Sequence, residues 1–191
     1  MQRAEEMGFY TEMPLYHGTS GRNFTAFHPS KRGSMTQAAH AREGVWSALN
    51  PEVAAEFAEM AARKTPDGQR ILPLLHRAEN PARLQLKGHE GHRQIAATLA
   101  DAFDTGIDAV LLRKYTSPGG RTKQDILVVK NENQLRSRFA KFDPANRNSN
   151  DLSASIAALL GSGVAVHVVG EAKPQADEET FSDAWRRGDA L

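Results

Sequence analysis

Apolar and polar residues alternate along this chain in two different periods, which together outline its elements. Short apolar or β-branched runs bounded by Gly, Pro and Asn predict strands, and apolar residues at helical spacing predict helices. The predicted strands cover residues 14–17, 44–48, 70–75, 82–86, 109–112 and 125–129. The predicted helices cover residues 51–62 and 93–104, and this mixture of elements is compatible with an α+β fold.

The clearest boundaries belong to the two helices. Asn50 precedes Pro51, a pair typical of a helix start, because Asn caps unpaired backbone N–H groups and Pro suits the first turn. Gly106 follows the second helix and is typical of a helix end. Residues 28–43 are polar and predict a long loop, and long loops in compact domains are often functional.

The pattern changes beyond Asp143 and Pro144. We predict one domain over residues 1–150 and a C-terminal appendage over residues 151–191. Within the appendage, residues 151–161 have the pattern of a short helix and residues 164–169 that of a strand. The last twenty residues are charged and sparse in apolar side chains, so we predict a tail that a partner or an inhibitor would order.

Composition narrows the chemistry. The chain has 191 residues with 24 Lys and Arg against 23 Asp and Glu, so its net charge of +1 gives no bulk electrostatic reason to bind nucleic acid. There is no cysteine, which excludes disulfides, thiolate metal sites and cysteine nucleophiles. The N-terminus is too polar for a secretion signal, and no apolar run reaches the roughly 18 residues of a membrane span. We therefore expect a cytoplasmic protein, of the producing cell or of a target cell, without a membrane partner.

Three short segments far apart in the chain carry complementary chemistry. They are Tyr16-His17-Gly18-Thr19, then Gly44-Val45-Trp46-Ser47 with Phe57 on the helix that follows, and Asp125 at the head of a strand. Together they resemble the three-part signature of ADP-ribosyltransferases of the histidine, tyrosine, glutamate branch. Within that branch they are most similar to transferase domains of phage and prophage polyvalent proteins, and the resemblance covers residues 6–151.

The resemblance implies a fold and an activity. The fold would be α+β, with two small antiparallel sheets packed across an NAD cleft and flanked by helices. The activity would be mono-ADP-ribosyl transfer from NAD, as substrate, to a macromolecular acceptor, protein rather than RNA, by a phage or bacterial effector or toxin. Two alternatives stay open. One is an NAD glycohydrolase, and the other is a catalytically silent module that binds a partner through the tail near Phe181 and Trp185.

The resemblance also assigns roles to the first segment. His17 would be catalytic, because an imidazole at a strand end can orient the NAD ribose through hydrogen bonds to its hydroxyls. The backbone of Gly18 would hold the nicotinamide amide, since glycine lets a ligand approach closely. Thr19 would assist it.

The second segment would hold the nicotinamide ring. Trp46 and Phe57 stand where the family has tyrosines, and both side chains are flat enough to stack on that ring. Ser47 would lie beside them. The resemblance therefore adds Trp46 to the catalytic residues and Ser47 and Phe57 to the binding residues.

The chemistry of NAD cleavage explains the remaining roles. Loss of nicotinamide develops positive charge on the ribose carbon, as in glycoside hydrolysis, and a carboxylate beside that carbon would stabilise it by about 3 kcal/mol. Asp125 stands where the family has glutamate, one methylene shorter, and Gln124 is the alternative occupant of this place. The pyrophosphate needs cations, for which Arg22, Lys31 or Arg32 are candidates by position.

Two other patterns contain side chains that can bind ligands. His89-Glu90-Gly91-His92 lacks the spacing of a zinc-protease helix, so we expect no metal cofactor. The basic run from Arg136 to Arg147 leaves an RNA-binding role open, and such binding would weaken steeply with salt.

Overall fold

One mixed sheet of seven strands organises the chain in the computed structural model, which describes residues 1–20, 24–64, 68–117 and 123–153. The elements in chain order are α1 (Gln2–Glu6), β1 (Tyr10–Thr19), β2 (Val45–Ala48), α2 (Pro51–Ala62), β3 (Arg70–His76), β4 (Pro81–Gln85), α3 (His92–Asp104), β5 (Ala109–Thr116), β6 (Lys123–Val129) and β7 (Leu135–Ser137). The strand order is β4-β5-β6-β2-β1-β3-β7, in which β4 and β5 are parallel and the other neighbours antiparallel. Residues 154–191 lie outside the described part of the chain. They include most of the helix predicted over residues 151–161, the strand predicted over residues 164–169, and the predicted tail.

The α+β class is confirmed, but the sheet differs from the predicted pair of small antiparallel sheets. Its seven described strands form one hydrogen-bonded order, which includes a parallel pair. The strand pairing is short between β1 and β2, which share one register pair, Tyr16 with Ala48. By comparison, β1 and β3 share six register pairs. The two halves of the sheet therefore separate beyond that pair.

The sheet is covered on both faces, and β6 shows how the sequence achieves this. Successive side chains of a strand point to opposite faces. Ile126 and Val128 pack with Leu99 of α3 on one face, whereas Leu127 and Val129 belong to the core on the other face. A continuous apolar run is the expected pattern for such a strand, because both of its faces are buried.

Helix α2 begins and ends where the sequence predicts. The Asn50 side chain accepts a hydrogen bond from the Glu52 backbone N–H at 2.8 Å, so the predicted N-cap is present. A cap of this kind stabilises a helix by about 1 kcal/mol. The buried face of α2 consists of small residues, Ala54, Ala58 and Ala61, which let the helix approach the sheet closely.

Several strand boundaries differ from the prediction. β1 starts at Tyr10 and continues through Gly18 to Thr19 without the predicted turn. Its register with β3 shifts between Tyr10 and Leu15, and this irregularity accommodates Pro14, which has no N–H for the ladder. β5 likewise continues to Thr116. The short elements α1 and β7 were not predicted, because three to five residues are too few to establish a period.

The packed domain extends slightly beyond the predicted end at residue 150. Leu152 is buried in the core, and its backbone N–H donates to the Thr25 carbonyl at 2.8 Å. The Leu152 carbonyl in turn accepts from the Ser137 N–H at 2.9 Å. The segment that ends the described chain is therefore part of the fold.

Candidate functional site

A cavity of about 670 Å³ opens where β1 and β2 separate. Its walls come from the end of β1, from β2, from α2 and from the loop over residues 28–43. Six residues of the predicted site line it, namely His17, Gly18, Thr19, Trp46, Ser47 and Phe57. Lys31 and Arg32 line it as well, and Arg22 lies outside the described residues.

His17 bridges the gap between the two strands. Its Nδ1–H donates to the Trp46 carbonyl at 2.9 Å, because a carbonyl can only accept, and this leaves Nε2 as an acceptor. The ring stacks on Phe24 at 5.9 Å and meets the edge of Phe27 at 4.8 Å, as measured between ring centroids. Burial lowers the pKa of His17, and the hydrogen bond to Trp46 opposes that shift only in part. The imidazole is therefore neutral at pH 7.

Gly18 lines the cavity, but the structure gives a different reason for glycine from the one predicted. A Cβ on residue 18 would lie 1.9 Å from the carbonyl oxygen of Ala54 and 2.6 Å from the backbone nitrogen of Ala58. The space that a side chain would need is thus occupied by α2. Glycine at this position brings α2, and with it Phe57, against the end of β1.

Trp46 and Ser47 present polar groups that lack a protein partner. The indole Nε1–H of Trp46 and the hydroxyl of Ser47 are buried and make no hydrogen bond within the described chain. Adjacent strand residues face opposite ways, so these two groups lie on opposite faces of β2. Buried polar atoms are almost always paired in folded proteins, and a bound ligand or water would supply the missing partners.

The structure does not bring Asp125 to the cavity. Its carboxylate pairs with the Arg113 guanidinium at 2.8 Å and accepts from the Lys114 backbone N–H at 3.1 Å. Lys114 has a φ of 58°, in the left-handed region, where the register of β5 with β6 is irregular. The contacts of Asp125 are those of a residue that stabilises this irregular turn of the backbone.

Gln124, the alternative to Asp125, lies on the same face of β6 as the cavity residue Ile126. It is 8% exposed, and both of its amide atoms are buried without a partner in the described structure. Its cross-strand neighbour is Tyr115, which lines the cavity, although Gln124 itself does not. An amide in this position is uncharged, so it would not provide the electrostatic stabilisation of a carboxylate.

Glu132 was not predicted, and it is the acidic side chain among the described cavity-lining residues. It is 4% exposed and pairs with Arg32, whose Nε lies 2.7 Å from its carboxylate. Arg32 also donates to the Lys130 carbonyl at 2.7 Å. The guanidinium predicted to hold pyrophosphate is therefore already engaged, whereas Lys31 is exposed at the cavity rim.

His40 and Tyr115 also line the cavity and were not predicted. His40 Nε2 and the Tyr115 hydroxyl are 2.8 Å apart, and each residue is 2% exposed. The one signal in the sequence is that His40 stands among alanines in an otherwise polar loop, Ala38-Ala39-His40-Ala41. Such a setting is typical of a side chain that turns inward.

The remaining predicted patterns have structural explanations. Glu90 accepts the backbone N–H groups of Lys87 at 2.6 Å and Gly88 at 2.8 Å, and the bond from Lys87 is the main reason that its pKa falls to about 2. Arg136, the first residue of the basic run, is fully buried and donates to the carbonyls of Asp151, Asn146 and Arg147. Arg136 therefore stabilises the fold and is not available to phosphates.

Residues 1–20, 24–64, 68–117 and 123–153 contain no cluster of His, Asp or Glu suited to a metal ion. In the same ranges no helix has the length and apolar character needed to cross a membrane.

No family model, curated protein or solved structure matches this chain.

Proposed function

We propose that this chain binds NAD in the cavity between β1 and β2 and transfers ADP-ribose to a macromolecular acceptor, protein rather than RNA. The observation that carries the proposal is that two of the three segments, residues 16–19 and residues 44–47 with Phe57, meet at one cavity. His17, Trp46 and Phe57 come from β1, β2 and α2, and they belong to the segments on which the resemblance to ADP-ribosyltransferases rests. In this proposal, the NAD cleft of that family corresponds to the cavity at which β1 and β2 separate.

The cavity suits NAD in size and in chemistry. Its volume of about 670 Å³ is in the range of small-molecule sites. In the proposed complex, the nicotinamide ring stacks between Trp46 and Phe57, and a ribose hydroxyl donates to Nε2 of His17. The neutral state of His17 supports this role, because an imidazolium would have no acceptor nitrogen and would repel the positively charged nicotinamide ring.

The reaction would break the bond between the ribose carbon and the nicotinamide nitrogen. Both electrons of that bond leave with nicotinamide, and a nucleophile of the acceptor forms the new bond to carbon and loses a proton. A carboxylate favours the cationic transition state. Glu132 is the acidic group at the cavity, so we assign it the electrostatic role that the sequence assigned to Asp125.

A catalytically silent NAD-binding module is the second candidate, and one observation favours it. Asp125 is engaged with Arg113 and Lys114, and Glu132 with Arg32, so each carboxylate already has a cationic or N–H partner. A glycohydrolase is the nearest catalytic variant, in which water replaces the acceptor.

Nicotinamide release from NAD by the full chain tests the proposal. The wild type is compared with His17→Ala, Glu132→Gln and Asp125→Asn, with and without a bacterial lysate that supplies acceptors. We expect release that His17→Ala and Glu132→Gln each reduce by at least about tenfold, and labelled lysate proteins. Release without labelled acceptor identifies a glycohydrolase. NAD binding without release identifies the silent module, and no binding refutes the proposal.

A further inference from the structure

Trp46 belongs to an aromatic cluster, around the buried side chains of His40 and Tyr115, that the proposed reaction does not yet use. Its ring lies 4.7 Å from that of His40, edge to face at 62°, and 5.3 Å from that of Tyr115. His40 also meets the ring of His92, the first residue of α3, at 4.7 Å. The side chain proposed to stack on nicotinamide is thus supported by a loop residue and by a strand residue.

The polar atoms of this cluster are only partly satisfied by protein. His40 Nε2 bonds the Tyr115 hydroxyl at 2.8 Å, whereas His40 Nδ1 and Trp46 Nε1 are buried without a partner within the described residues. The bond to Tyr115 fixes the orientation of the imidazole ring. That imidazole is in edge contact with the indole, so the hydrogen bond also restricts the plane of Trp46.

His40 is carried by a loop that is attached to the domain at separate points. Arg32 of the same loop bonds Glu132 and the Lys130 carbonyl, each at 2.7 Å. The Met35 carbonyl accepts from Lys64, which follows α2. The loop is therefore anchored to the domain at Arg32 and Met35, and its residue His40 contacts the stacking side chain.

We propose that His40 is a positioning residue, which sets the plane of the Trp46 ring and thereby determines how well the cavity binds the nicotinamide half of NAD. This inference rests on the proposed function. Burial lowers the pKa of His40 to about 4, with a smaller contribution from His92, so the ring is neutral at pH 7. A neutral ring at this point places no positive charge near the pyridinium of NAD.

Tryptophan fluorescence tests the positioning without any ligand. The chain has two tryptophans, Trp46 and Trp185, so a Trp185→Phe background reports on Trp46 alone. In that background His40→Gln removes the ring contact, and Tyr115→Phe removes the hydrogen bond while keeping an aromatic ring. We expect both changes to shift Trp46 emission to longer wavelength and to increase its quenching by acrylamide. His89→Gln, at an exposed histidine, is the matched control and leaves both unchanged.

Binding of two probes separates positioning from general stability. NAD contains the nicotinamide ring, and ADP-ribose lacks it. We expect His40→Gln and Tyr115→Phe to weaken NAD binding by about tenfold, the scale of one aromatic contact, and to leave the affinity for ADP-ribose unchanged. Thermal melts in parallel establish that each variant is folded.

Each outcome decides the inference. Unchanged Trp46 emission in both variants overturns it, as does a parallel loss of NAD and ADP-ribose affinity, which is the mark of a merely structural role. If the wild type binds neither probe, the proposed function fails, and the inferred role of His40 in nicotinamide binding falls with it. The emission measurement then still decides whether His40 orients Trp46.

Discussion

At the scale of single residues, Gly18 affects both the packing of the domain and the shape of its cavity. The missing side chain admits the backbone of α2 at Ala54 and Ala58, and the same residue lines the cavity. A ligand pocket that depends on such a contact is sensitive to a single methyl group, because close-packed interiors relax only partially.

We expect Gly18→Ala to destabilise the domain by about 3 kcal/mol, since the added carbon would overlap the helix backbone. Denaturant unfolding measures this change. Gly91→Ala is the matched control, because Gly91 precedes α3 and a Cβ there meets nothing within 4 Å. The control is expected to cost less than about 1 kcal/mol. Equal stability of wild type and Gly18→Ala would contradict the packing described.

Asp125 gives a second prediction at this scale. Because its carboxylate pairs with Arg113 on a partly exposed surface, Asp125→Asn is expected to cost less than about 1 kcal/mol of stability. NAD affinity and nicotinamide release should be unchanged, since Asp125 does not line the cavity. Loss of release by a variant with a wild-type melt would instead return the catalytic role to Asp125, as the sequence alone suggested.

Residues of the candidate site that lie in short motifs could be singled out from the sequence, whereas those that depend on distant pairing could not. His17, Trp46 and Phe57 were found because each stands in a segment with a recognisable neighbourhood, and the structure places all three at one cavity. Glu132 was missed because its partner Arg32 is 100 residues away, and no local pattern encodes such a pair. The contacts of His40 likewise come from β2, β5 and α3.

At the scale of elements, the predictions were most accurate where local chemistry fixes a boundary. Asn50 and Pro51 determine the start of α2, and the helix begins there. The course of β1 was less predictable, because Pro14 and Gly18 indicate breaks that pairing with β3 overrides. The single sheet could not be foreseen, since the pairing of β1 with β2 rests on one residue pair.

Arg32 attaches the loop over residues 28–43 to the domain through its bonds to Glu132 and to the Lys130 carbonyl. We expect Arg32→Met to destabilise the domain by about 2 kcal/mol, because it leaves the buried carboxylate of Glu132 unpaired. Limited proteolysis with thermolysin should then cut this loop faster. Arg63→Met, which breaks an exposed pair with Glu59 at 2.7 Å, is the control and should cost about 0.5 kcal/mol or less. Similar proteolysis of the two variants would show that Arg32 does not hold the loop.

At the scale of the whole molecule, buried histidines link stability to pH. Burial lowers the pKa of His40 to about 4 and that of His76 to about 3, and it lowers the pKa of His17 as well. Between these values and the ordinary value of about 6.5, the unfolded chain binds protons that the folded chain does not. The stability that these neutral histidines contribute is therefore fully present above a pH of about 6.5, and it is lost progressively as the pH falls below that value.

We expect the melting temperature to be lower at pH 5 than at pH 7.5, because burial lowers the pKa of three histidines in the fold and the unfolded chain therefore binds more protons. The variant His40→Gln should show a smaller difference between the two pH values. A melting temperature that is constant or rises on acidification would mean that the folded state does not disfavour the protonated form of these side chains.

The central claim concerns the whole cavity and is tested most directly by calorimetric titration of NAD into the full chain, wild type beside His17→Ala. The account predicts saturable binding at one site in the wild type. It also predicts that His17→Ala weakens this binding by at least about tenfold, because the ribose loses its acceptor nitrogen, while the variant keeps a cooperative melt. Absence of saturable binding, or equal affinity in the two proteins, would contradict the account.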